Sequence, residues 1–120
     1  TYLNTICVFI VYCNMKDLVS TIQKLAHNFA KYHYDKYLKQ HNIKKIEEGD
    51  LNEVVTDLFN SEKEKELKVY IRTSLKKMCG ETYNSFAVEN ALSEMFNDRK
   101  LIIKRICLEI QLFQKTDPNP

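Results

Sequence analysis

Residues 61–80 read SEKEKELKVYIRTSLKKMCG, and their spacing decides the fold class. Leu67, Tyr70, Ile71, Ser74, Leu75 and Met78 follow the i, i+3, i+4, i+7 rhythm that sets side chains on one face of an α-helix. Ser61 with Glu64 has the form of a capping box, in which hydroxyl and carboxylate each satisfy a backbone N–H of the first turn. At the far end Gly80 can take a left-handed conformation at no Cβ cost, so the helix is expected to stop there. A helix with one greasy stripe must bury it against others, and the flanking sequence supplies them.

Upstream, Val19, Ile22, Leu25, Ala26, Phe29, Ala30, His33 and Tyr37 make a long amphipathic helix, with Asn14 as candidate N-cap and weakening near Gln40 to Asn42. Residues to Gly49 read as a polar connection anchored by Ile43 and Ile46. Asp50 with Glu53 suggests a second capping box before the short run Leu51, Val54, Val55, Leu58, Phe59. Downstream, Asn84 or Ser85 can cap a helix carrying Val88, Ala91, Leu92, Met95 and Phe96, and Asn97-Asp98 breaks the chain before a fifth. In that last helix Leu101, Ile102, Ile103, Ile106, Cys107, Leu108, Ile110, Leu112 and Phe113 leave little polar circumference, which predicts a central position.

Composition agrees with a helical bundle. The 120 residues include two Gly and two Pro, where an average composition supplies about fourteen, so the frequent turns of a sandwich or barrel lack their residues. The expected fold is all-α, a compact bundle of about five helices in a single domain over residues 1–115, with 116–120 as a flexible tail. Residues 6–13, ICVFIVYC, are expected to form an additional buried helix. They are far short of the roughly 20 apolar residues that cross a bilayer, so no transmembrane span is expected, and no complete signal peptide is present. Cys7, Cys13, Cys79 and Cys107 contain no CxxC pair, and no Asn-x-Ser/Thr acceptor occurs. Free thiols in an intracellular, cytoplasmic setting are therefore favoured.

No chemical motif rises above this architecture. The chain has no G-x-S-x-G elbow, P-loop or G-x-G-x-x-G. His27 and His33 diverge by roughly 240° on a helix, and His33 and His41 stand roughly 12 Å apart along it, so no shared metal ion is expected. Cys79 lies at a helix C-terminus, where the dipole opposes a thiolate. Catalytic, metal and cofactor residues are accordingly expected to be none.

Charge is segregated along the chain. Residues 1–46 carry seven Lys against two Asp, residues 47–66 eight acids against two Lys, and residues 67–120 nine bases against six acids. Lys36, Lys39, Lys44 and Lys45 interleave with tyrosines in a pattern single-stranded nucleic acid can use, but three arginines and a net charge of +2 argue against RNA. The leading expectation is a non-enzymatic interaction module, an adaptor or complex subunit that binds another protein or itself. Its expected contacts are Tyr32, Tyr34, Tyr37 and His41 on one helix face, or Phe9 and Val11 of the apolar segment. The alternative is a bundle that binds lipid or another apolar ligand in a cavity lined by Phe29, Met78, Met95 and Ile106, and a second alternative is a weak RNA-binding module using the Lys and Tyr mixture.

Overall fold

The computed structural model describes residues 15–116. Among these, five α-helices follow one another without a strand: α1 (Met15–Gln40), α2 (Leu51–Leu58), α3 (Ser61–Cys79), α4 (Ser85–Met95) and α5 (Arg99–Thr116). Single 3₁₀ turns at Glu48–Asp50 and Gly80–Thr82 lead into α2 and out of α3. Asn14 and the apolar run 6–13 lie outside the described residues, as do residues 117–120. Thr116 itself belongs to α5 rather than to a tail.

The helix starts are set by short side chains that accept orphan N–H groups. Asn60 Oδ1 accepts from the Lys63 N–H at 3.0 Å, so α3 is capped one residue before the expected Ser61. Glu64, free of a capping role, instead reaches Lys68 and Arg99 at 3.8 and 3.7 Å. Asn84 Oδ1 takes the Ala87 N–H at 3.1 Å, and Asp98 Oδ1 takes those of Lys100 and Leu101 at 3.0 and 3.4 Å. The Asp50–Glu53 box does not form. Asp50 already has helical backbone angles as the last residue of a 3₁₀ turn, its own N–H bonded to the Glu47 carbonyl at 3.0 Å, so its side chain makes no cap. Gly80 stops α3 with φ of 57°, as its lack of a Cβ permits.

The central helix is α1, not α5 as its apolar content suggested. Its 26 residues rise about 39 Å, close to the 43 Å long axis of the molecule, and α3, α4 and α5 all pack on it. Leu18, Ile22, Phe29, Ala30 and Tyr34 are buried along its length. Among the described residues of α5 Ile103, Ile106, Ile110 and Phe113 are buried, while Leu101, Leu108 and Leu112 stand in solvent. The physical reason is that three sides of α1 are covered by other helices, whereas α5 sits at the periphery against α1 and α2. Position among neighbours, rather than apolar count, decides which helix is enclosed.

The remaining core comes from Ile46 and from Leu51, Val55 and Phe59 of the α2 region, Leu67, Ile71 and Leu75 of α3, and Val88, Ala91 and Leu92 of α4. Burying each large aliphatic side chain contributes about 1.5–3 kcal/mol. Polar ties then fix the connections. Arg99 Nη2 donates to the Phe59 carbonyl at 2.7 Å, joining the start of α5 to the end of α2, and Arg72 makes a two-pronged pair with Glu89 at 2.7 and 2.9 Å across α3 and α4. That pair holds the Glu89 carboxyl below its ordinary range. The α1–α2 connection is tied down by Gln114, whose side-chain amide brackets the backbone of buried Ile46.

Candidate partner-binding site

Two alanines line a concavity beside α5. Ala26 and Ala30 lie one turn apart on α1 and leave space between α1, the Phe59 corner, the start of α3, the end of α4 and the first half of α5. The result is a cleft of about 210 Å³ with an apolar floor that includes Phe29, Phe59, Leu67, Met95, Phe96 and Ile106. Of the four cavity residues expected from the sequence, Phe29, Met95 and Ile106 are in this lining, and Met78 is not. Gln23, Glu94, Asp98, Arg105 and Glu109 form the polar rim. An enclosed floor of aromatic and aliphatic groups under a charged rim can hold one bulky apolar group and orient it, and has no array of polar donors to grip a highly polar ligand.

Glu109 is the rim group whose chemistry the fold alters most clearly. Burial pushes its carboxyl above the ordinary glutamate range, opposed by His27 at 3.4 Å and Arg105 at 3.9 Å. A carboxyl raised in the folded state favours folding while protonated, and that contribution is lost as pH rises through the folded pKa. From pH 4.5 upward the native protein should therefore lose stability through this group, and Glu109→Gln should flatten the loss. Urea unfolding of both proteins across that range checks it; parallel pH profiles would contradict the assignment.

The tyrosine face expected from the sequence is only partly a surface. Tyr34 is a correction: it is 2% exposed, packed against Phe113 at 5.7 Å with its hydroxyl donating to Gln114 at 3.2 Å, because that side of α1 faces α5. Tyr37 is half-buried with its ring on His41 at 4.2 Å, and Tyr32 stands out at 61% exposure. The structure thus separates the four into a core residue, a stacked pair and an exposed ring rather than one contact patch. Phe9 and Val11 lie outside the described residues.

The histidines serve three different neighbourhoods. His27 sits edge-on to Phe113 beside Glu109, His41 rests on Tyr37, and His33 is packed between Tyr32, Phe29 and Phe59. Burial foremost, then Lys63, holds His33 below its ordinary value of 6.5 against the opposing pull of Glu66. Cys79 is buried, and Cys107 is half-buried with its thiol pushed up by burial, away from the thiolate a nucleophile requires. Among the described residues no helix is long and apolar enough to cross a membrane.

What the sequence reading overlooked is the outer face of α5. Leu101, Leu108 and Leu112 are 62%, 53% and 58% exposed, and the spacing of seven and four puts all three within an arc of about 20° to either side of Leu101. The buried set centres on the opposite pole. The signal was available in the helical projection: two apolar faces divided by Lys104, Arg105 and Lys115, which a tally of apolar residues merges into one. Compared with models of known families, with curated proteins and with solved structures, the chain matches none, so the cleft and the α5 face carry the functional reading by their own chemistry.

Proposed function

We propose that the chain is a non-enzymatic protein-interaction module that accepts an apolar anchor side chain of a partner into the cleft beside α5. The observation that carries this reading is the cleft itself. A cavity of about 150 Å³ takes a benzene ring, so about 210 Å³ suits a phenylalanyl, tyrosyl or leucyl side chain. Drug-sized ligands occupy roughly 300–1,000 Å³, which counts against an extended lipid chain. Anchors of this kind, seated in a preformed pocket and ringed by polar groups, dominate the energetics of protein interfaces. Asp98 and Glu109 beside the cleft are engaged: Asp98 caps α5, and Glu109 faces His27 and Arg105.

Three of the four residues expected to line a ligand cavity do meet here, which gives the apolar-ligand reading a specific observation of its own. One experiment separates the two. In an NMR titration with p-cresol, a mimic of an aromatic anchor, the Met95 methyl should shift saturably, and Ala26→Phe, which fills the cleft from α1, should abolish the shift. Laurate should leave the same methyl in place. Saturable binding of laurate without cresol would overturn the anchor reading in favour of a lipid carrier, and cresol binding that survives Ala26→Phe would remove the cleft from the argument.

A further inference from the structure

The outer face of α5 presents an apolar row to solvent. Leu101, Leu108 and Leu112 span about 16 Å along the axis, and their i, i+7, i+11 spacing matches apolar positions of a heptad seam. Single exposed leucines are ordinary, but three aligned on the pole opposite the core are a stripe. In projection Lys104 and Lys115 border it on one edge and Arg105 on the other. The whole helix carries Arg99, Lys100, Lys104, Arg105 and Lys115 against a single acid, Glu109.

Those charges select the occupant. A second copy of α5 would bring like charges together along both edges, which costs affinity and argues against self-pairing. An acidic partner gains from the same arrangement. The form of the partner follows from the cleft: Leu101 and Arg105 belong to both the stripe and the cleft rim, so the convex stripe runs directly into a concavity. A flat anionic bilayer covers the stripe but leaves the cleft empty. A helix can lay its apolar row on the leucines and insert one side chain.

We propose that the solvent face of α5 docks an acidic amphipathic helix of another protein, which sets its apolar row along Leu101, Leu108 and Leu112 and its carboxylates against Lys104, Arg105 and Lys115. This rests on the interaction reading above and adds the surface and the charge of the partner. The probes are two synthetic helices with the same leucine and phenylalanine row, one flanked by glutamates and the other by lysines, together with phosphatidylserine vesicles. The glutamate helix should bind at least about tenfold tighter than its lysine twin, lose affinity with added salt, and perturb the amides of α5. Leu108→Glu, at an exposed position that leaves helicity unchanged by circular dichroism, should weaken binding by at least about tenfold, and Lys104→Glu with Lys115→Glu should reverse the preference between the twins. Equal binding of the twins, no binding of either, perturbations away from α5, or recruitment to vesicles without peptide binding would each overturn the proposal. The two readings fail separately: lost cresol binding removes the cleft anchor, whereas glutamate-helix binding indifferent to Leu108→Glu, with cresol binding intact, removes only the α5 seam.

Discussion

Ile110→Ala should destabilise the protein by about 2–5 kcal/mol, whereas Leu108→Ala, two residues earlier on the same helix, should change stability by less than about 0.5 kcal/mol. Ile110 is fully buried where α5 meets the bundle, so truncation removes its transfer energy and leaves a cavity that surrounding helices cannot close completely. Leu108 is 53% exposed on the far side, where removing methyl groups returns little surface to water and alanine is the better helix former. For a chain of 120 residues, between the two size classes, each kcal/mol moves the melting temperature by about 4 °C. The first variant should therefore melt many degrees lower and the second almost unchanged. Comparable losses at both positions would mean that α5 is enclosed on all sides, and the outer-face seam would have no basis.

That contrast also marks what could and could not be read from residue order. Local signals carried well: the stripe Leu67, Ile71, Leu75 is buried, Gly80 does end α3 at positive φ, and Asn84 does cap α4. Each depends on a few neighbouring residues and on backbone chemistry that acts over one turn. Ser61 lost the cap to Asn60 because two adjacent residues were both competent, and only the actual entry angle of the chain chooses between them. The misreadings concern distance in space. Tyr34 carries a hydroxyl and lies among lysines, which suggests an exposed ring, yet α5 folds over it and supplies Gln114 as acceptor from 80 residues away. The placement of α1 at the centre follows from which helices pack on it, and no periodicity within α1 encodes that. The cleft was anticipated in three residues because a bundle core must place some apolar side chains near its open end; its rim and its link to Leu101 depend on the packing of four helices.

Gln114→Leu should cost about 2–4 kcal/mol, an unusual penalty for exchanging one half-buried polar side chain for an apolar one of similar length. The Gln114 amide acts as a substitute strand for Ile46: its Oε1 accepts the Ile46 N–H at 2.7 Å, and its Nε2 donates to the Ile46 carbonyl at 3.2 Å. Ile46 is buried in a connection that has no helix partners for its backbone, just after Asn42 turns the chain with φ of 52°. A leucine there removes donor and acceptor together, leaving two buried backbone groups to be hydrated by opening the connection or to remain unsatisfied. Tyr34→Phe removes only one of the two donors to Oε1 and should cost about 0.5–1.5 kcal/mol, and less in the Gln114→Leu background, where that acceptor is already gone. Urea unfolding of the four proteins in the cycle measures the coupling, and amide exchange at Ile46 reports the local event directly, since its protection should fall in Gln114→Leu before that of α3. If Ile46 kept its protection and stability fell by less than about 0.5 kcal/mol, the clamp would be incidental. If the loss appears as stated, the loop from Ile46 to Gln114, 68 positions apart, is closed by one amide, and α5 is held in the register that presents its leucines outward.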